Sequence, residues 1–159
     1  GNSNMDEKIM KDIKLSSSME DYLEAIAVLK KENGVARVKD IGNLLNVKNP
    51  SVNSALNFLA DAGLVVHERY GYADLTEDGM AVANNVIERH NILTRFFTEI
   101  LGLDRQKAEE DACKIEHFLG DETFNRLTIF MQYAESCREG KTPEWLDGFY
   151  RFIQMKEKV

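Results

Sequence analysis

The chain has 159 residues, with 20 Lys and Arg against 27 Asp and Glu for a formal net charge of −7, 43% hydrophobic residues and 30% charged ones. These figures describe one ordinary globular domain or two small ones sharing a core, and they exclude whole-chain disorder. With two prolines and ten glycines they also exclude a turn-dense all-β fold, and the acidic balance at first weighs against nucleic acid, whose phosphates want a basic surface.

No apolar run approaches the roughly 20 residues that span a bilayer, and no charged-then-apolar signal segment opens the chain. The expectation is a cytoplasmic protein with no membrane partner, in which Cys113 and Cys137 are reduced thiols. Residues 1–14 read as a cloning remnant (GNSN before Met5) and a charged, frayed lead-in. Ser16-Ser17-Ser18 then precedes MEDYLEAIAVLKKENG, where a serine N-cap, first-turn acids and Tyr22, Leu23, Ile26 and Leu29 at helical spacing predict a helix ended by Asn33-Gly34. A short helix follows in VARVKDIGNLLNV, with Ile41, Leu44, Leu45 and Val47 assigned to one face. Lys48-Asn49-Pro50 is the turn, and Pro50 suits the first turn of PSVNSALNFLADAG, whose buried stripe is Val52, Ala55, Leu56 and Leu59 and whose stop is Gly63.

The period then changes in LVVHERYGYADLT. Leu64, Val65 and Val66 lead in, Tyr70-Gly71-Tyr72 turns, and Ala73 to Leu75 return as a two-stranded ribbon. Helix, turn, helix and ribbon together predict a winged helix-turn-helix. Thr76-Glu77-Asp78-Gly79 caps a long helix to about residue 100, whose apolar side (Val82, Val86, Ile87, His90, Leu93, Phe96, Phe97) is broad, and Gly102 breaks it. Residues 104–119 and 121–137 read as two more helices. So much apolar surface on a short helical region predicts burial against a second copy. The tail from Thr142, with Trp145, Phe149, Tyr150 and Phe152, is too aromatic for a free linker and is expected to dock.

Three groups carry possible chemistry. Cys113, Glu116 and His117 stand at i, i+3 and i+4, so one helical face presents a thiol, a carboxylate and an imidazole, three divalent-metal ligand types. The other reading is a small buried Cys beside a solvated Glu-His pair. Asp21 and Glu24, at i and i+3 near the start of the first helix, are either dipole-favoured acids or ligands. His90, near the apolar side of the long helix, is either a core or interface histidine or a ligand.

The segments SMEDYLEAI, ARVKDIGNLLNVKNPSVNSAL, GLVVHERYGYADLTEDG, ERHNILTRFF and EEDACKIEHFL occur in order over residues 16–127. This pattern resembles the DtxR/MntR family, the diphtheria-toxin-repressor-like, metal-dependent transcriptional regulators. The resemblance implies that Asp21 and Glu24 match ligands of the manganese-sensing branch, that His90 matches the ligand on the long helix, and that Glu116 and His117 match the late-helix pair. Cys113 stands where the iron-sensing branch has its cysteine, so the set is a hybrid. Glu109 matches the position of a second-site histidine and Thr94 replaces a second-site acid, which implies one or two ions per protomer. A thiolate favours Fe(II), with Mn(II) next because of the two hard carboxylates.

The implied fold class is mainly α: a winged helix-turn-helix over residues 15–76, an all-helical metal-binding and dimerisation domain over 77–140, and an aromatic helical tail over 141–159. The resemblance implies the short form, without the SH3-like domain common in the iron branch. The implied function is a metal-responsive repressor, not an enzyme, that binds double-stranded operator DNA as a homodimer. Recognition falls to the helix starting at Pro50, with Ser51, Asn53 and Ser54 near its N-terminus, while Arg37, Lys39 and Lys48 suit phosphates and His67 and Arg69 suit the wing. The chain shows no HExxH, phosphate-binding glycine loop or nucleophile elbow to support the rival of a metal-dependent hydrolase. A protein-binding winged helix or a metal-independent regulator is the remaining alternative. The charge objection weakens on inspection, because the segment from Ala36 to Tyr72 is net +1 and four of the acids are candidate ligands.

Overall fold

The computed structural model describes residues 15–68 and 71–158, so the lead-in expected over residues 1–14 and the loop residues Arg69 and Tyr70 lie outside the described residues. The architecture is mainly α with one small sheet, and the chain packs as two compact units that divide between Ile87 and Glu88.

In the first unit, helix α1 (Ser17–Asn33) starts where the Ser16 side chain accepts the Met19 N–H at 3.2 Å and ends where the Gly34 N–H reaches the Lys30 carbonyl at 2.9 Å. A two-residue strand β1 (Ala36–Arg37) leads into α2 (Val38–Leu45) and α3 (Asn49–Asp61). The turn between these helices is tight. Asn46 takes a left-handed conformation (φ 56°), the Val47 N–H donates to the Gly42 carbonyl at 2.9 Å, and a Cβ on Gly42 would stand 2.8 Å from the Val47 oxygen. Only a glycine fits that approach, so residue 42 fixes the angle at which α3 leaves.

Strands β2 (Val65–His67) and β3 (Tyr72–Leu75) follow, and the sheet has three strands in the order β1-β3-β2, all antiparallel. The register pairs Ala36 with Ala73, Arg37 with Tyr72 and Val65 with Leu75. The two-stranded ribbon expected from sequence is thus one strand short, because two residues are too few to show a period-2 pattern, and Tyr72 belongs to β3 rather than to the turn. The core joins Leu23 and Ile26 of α1, Ile41 of α2, Val52, Leu56 and Leu59 of α3, and Ala36, Val65 and Ala73 of the sheet. Two residues expected on the inner face of α2 are not there: Leu44 is 52% exposed and Val47, past the helix end, is 36% exposed.

Helix α4 (Glu77–Arg95) starts in the first unit, where the Thr76 hydroxyl donates to the Gly63 carbonyl and accepts the Gly79 N–H. A Cβ on Gly79 would stand 1.9 Å from the Leu64 oxygen, so this helix start presses directly on the chain entering β2.

The second unit takes the end of α4, a π-helical turn (Phe96–Ile100), α5 (Arg105–Ile115), α6 (Asp121–Ser136) and α7 (Glu144–Glu157). The expected unbroken helix to residue 100 therefore changes winding at Phe96, where the Leu101 N–H reaches back to the Phe96 carbonyl at 3.1 Å. Ile100, Met131 and Ala134 form a small core against Ile92, Phe96 and Phe130. The tail docks as expected: Leu146 is buried, Trp145 packs edge-on to Phe130 with ring centres 6.1 Å apart, and the Tyr150 hydroxyl donates to the Glu99 carbonyl. Cys137, expected as a small core residue, is only half-buried and caps the end of α6.

Candidate metal centre and nucleic-acid interface

The second unit brings three of the sequence candidates together. His90 projects from α4, Cys113 from the last turn of α5, and Glu116 from the residue that caps α5. His90 Nδ1 lies 2.7 Å from Glu116 Oε2 and 3.6 Å from Cys113 Sγ, and one donor atom from each residue falls within 4.8 Å of the others. His117 Nε2 lies 3.5 Å from the second carboxylate oxygen, Oε1 of Glu116. The helix expected over residues 104–119 ends four residues early at Ile115. Glu116 nevertheless keeps helical backbone angles, and its N–H bonds the Ala112 carbonyl at 2.9 Å. The i, i+3 relation of Cys113 to Glu116 therefore survives the helix end.

Burial in this cluster runs opposite to the bland expectation of a buried thiol beside a solvated pair. Cys113 is exposed, while the Glu116 side chain is 1% exposed and that of His117 is 5% exposed. A carboxylate removed from water to that degree requires positive charge or donors around it. Two imidazoles border it here, and imidazole is also a metal-ligand type. Bonds of about 2.0–2.3 Å to a divalent transition metal set neighbouring ligand atoms about 3–3.8 Å apart. The spacing of the sulfur, nitrogen and oxygen atoms in this cluster is of that order, so donor types and separations both fit such an ion.

The other candidates are placed as follows. Asp21 and Glu24 lie on α1, both half-buried, one helical turn apart. Glu109 is held by Arg105, with Arg105 Nε 2.9 Å from its Oε1, an i, i+4 pair along α5. Thr94 is buried, and its hydroxyl oxygen has no hydrogen-bond partner among the described residues. One residue beside the cluster carried no signal in the sequence. Arg89, adjacent to His90, is 7% exposed, donates to the Leu119 carbonyl and to the Asp121 carboxylate, and lies with its guanidinium carbon 5.1 Å from the centre of the Phe124 ring. A lone arginine on a charged helix reads as solvated, and nothing local to its sequence says otherwise.

The other group of candidates sits on the first unit. On α3, Val52, Ala55, Leu56 and Leu59 face inward, which leaves Pro50, Ser51, Asn53 and Ser54 exposed near the N-terminus of the helix, with Lys48 exposed at its N-cap. Pro50, Ser51 and Ser54 line an open groove of about 490 Å³ that they share with Ser18, Met19 and Phe58. Arg37 and Lys39 are exposed, and the Arg37 guanidinium lies 5.6 Å from the centre of the Tyr72 ring across the β1-β3 pair. His67 is half-buried at the end of β2, and Arg69 lies outside the described residues. The exposed N-terminal turn of a second helix with short hydrogen-bonding side chains is the geometry that enters a DNA major groove.

Two family models match the chain. Residues 14–73 match the N-terminal DNA binding domain of the iron dependent repressor, and residues 76–144 match its metal binding and dimerisation domain. An uncharacterised HTH-type transcriptional regulator from Methanocaldococcus jannaschii is 40% identical over 119 residues, covering 74% of this chain and 95% of the relative. Among solved structures, IdeR of T. acidophilum is 29% identical with a TM-score of 0.65, covering 71% of this chain and 53% of that one. The manganese regulator SloR is 26% identical with a TM-score of 0.65, covering 72% and 54% respectively, so the chain spans about half the length of these two proteins. The winged helix-turn-helix, the cluster of His90, Cys113 and Glu116 and these matches agree: the chain belongs to the DtxR/MntR family of metal-dependent transcriptional regulators, the family of the iron dependent repressors.

Proposed function

We propose that this protein is a metal-responsive repressor that binds operator DNA as a homodimer when loaded with Fe(II) or, next in preference, Mn(II). The observation that carries the reading is the cluster of His90, Cys113 and Glu116, three metal-ligand atoms within 4.8 Å of one another in the part of the chain that matches a metal-binding domain. His117 is assigned to the same ion. Asp21 and Glu24 are assigned as further ligands on the family resemblance and their residue types. Glu109 is the candidate for a second ion, so the stoichiometry is one or two per protomer. The exposed Cys113 sulfur favours Fe(II), since thiolate is a poor match for the harder Mn(II).

When bound, the ion supplies positive charge to an acidic ligand set and restricts the elements that carry it. The protein's own part is to present two recognition helices at a fixed spacing. In a twofold dimer the α3 helices must stand about 34 Å apart, or a multiple of it, to enter successive major grooves on one side of DNA. Ser51, Asn53 and Ser54 meet base edges or phosphates, Pro50 contacts a thymine methyl, Arg37, Lys39 and Lys48 take phosphates, and His67 and Arg69 serve the wing. The test is anaerobic selection of bound fragments from a genomic DNA library with Fe(II), Mn(II), Co(II) or Zn(II) supplied in turn. The reading expects a defined set of fragments with Fe(II) or Mn(II) and none with chelator. Equal recovery in every condition would point to a metal-independent regulator instead.

A further inference from the structure

We infer that Arg89 is a positioning residue for the metal cluster, a latch that holds the turn carrying Glu116 and His117 against α4. The inference rests on the metal reading of His90, Cys113 and Glu116 given above. Residues 116–120 join α5 to α6, with the buried Glu116 and His117 side chains anchoring the start of this turn. The Glu116 N–H bonds Ala112 and the Phe118 N–H bonds Ile115, but Phe118 itself is 75% exposed and contributes little burial. Arg89 anchors the far end, because one guanidinium donates to the Leu119 carbonyl and to the Asp121 carboxylate. Arg89 and His90 are consecutive on α4, so the helix meets the turn at two adjacent rungs: His90 with Glu116, and Arg89 with Leu119 and Asp121. The first rung consists of ligand atoms and the second does not.

The chemistry of arginine explains why this residue does the task. A charge that is 7% exposed is costly unless its hydrogen bonds are satisfied and another charge opposes it. Asp121 provides the charge, although its own side chain is 91% exposed, and as a first-turn acid it also suits the N-terminus of α6. The flat guanidinium lies over Phe124 while its fork reaches two acceptors of different kinds. Lysine carries the same charge as a point and can neither stack nor fork in this way. Groups outside the coordination shell that orient ligands set metal affinity by factors of about 10–100.

The test compares the wild type with Arg89→Lys and with Asp121→Asn, using two readouts. Amide hydrogen exchange of residues 116–119 is followed in metal-free protein, and the affinity for Co(II) is measured by anaerobic calorimetry. Arg89→Lys is expected to speed exchange in the turn at least tenfold over that of the first unit and to weaken Co(II) binding about 10–100-fold. Asp121→Asn, which keeps the arginine and its bond to Leu119, moves both readouts the same way by less, and serves in place of Arg89→Lys should that variant not fold. Unchanged exchange at residues 116–119 in a folded variant, or Co(II) affinity within twofold of wild type, would overturn the latch. Failure of the wild type to bind Co(II) would instead overturn the metal reading, and the exchange data would still decide whether Arg89 holds the turn.

Discussion

Glu116 is the residue on which the chemistry of the second unit turns. Its carboxylate is 1% exposed and faces His90 at 2.7 Å, so removing its charge while keeping its shape tests the cluster with little change in packing. Glu116→Gln is expected to weaken Fe(II) or Co(II) binding by at least tenfold, about 1.4 kcal/mol, measured by anaerobic calorimetry. Cys113 is proposed to set preference rather than affinity. Cys113→Glu exchanges a soft ligand for a hard one at an exposed position, and the Fe(II)-to-Mn(II) affinity ratio should fall; an unchanged ratio would refute this account of selectivity. A third residue test concerns stability. Lys30 Nζ lies 2.5 Å from Asp74 Oδ1, and that bond holds the Asp74 carboxyl below its ordinary 3.8. A depressed value means that the contribution is full above the ordinary carboxylate range and is lost as pH falls through the lowered one. Both side chains are a third or more exposed, so solvent screening keeps the pair below about 1 kcal/mol. Asp74→Asn should therefore lower stability by about 0.5 kcal/mol at neutral pH, and by progressively less as pH falls below the ordinary carboxylate range, read by urea unfolding at each pH.

At the scale of elements, the helix-turn-helix was legible because its signals are local and redundant. Ser16, Gly34 and Pro50 mark helix ends, and the stripe Val52, Ala55, Leu56 and Leu59 is buried as its spacing predicts. What escaped the sequence was set by neighbours distant in the chain. Strand β1 exists because Ala36 and Arg37 pair with Ala73 and Tyr72. The end of α5 at Ile115 carries no Gly or Pro, and the burial of Glu116 depends on His90, 26 residues away. The turn Thr76 to Gly79 shows the middle case. It reads as a cap, but the contact that forbids a side chain at residue 79, a Cβ 1.9 Å from the Leu64 oxygen, comes from another segment. Gly79→Ala must push α4 off the chain entering β2, and a loss of about 1–3 kcal/mol is expected by thermal or urea unfolding. The C-terminal helix makes a comparable test in the second unit. Leu146 is 2% exposed, so Leu146→Ala should cost about 2–5 kcal/mol, and Trp145 fluorescence reports it directly.

For the whole molecule, the opening objection from charge finds its answer in distribution. The chain is −7 overall, yet the segment that carries the recognition helix and wing is net +1, and Asp21, Glu24, Glu109 and Glu116 are proposed as ligands. Two divalent ions, with Cys113 ionised, would bring the protomer to about −4. DNA affinity should thus depend on metal in two ways, through charge and through the restriction of the units that present α3. A tenfold gain in affinity needs only about 1.4 kcal/mol of difference in metal binding between the loose and the DNA-competent arrangements. The most direct measurement is the anaerobic affinity of the protein for a fragment selected from genomic DNA, with chelator and with Fe(II) at fixed salt, for wild type and Glu116→Gln. The account predicts at least tenfold tighter binding with Fe(II) in the wild type and no such gain in Glu116→Gln. Equal affinity of the wild type with chelator and with Fe(II) or Mn(II) would contradict it.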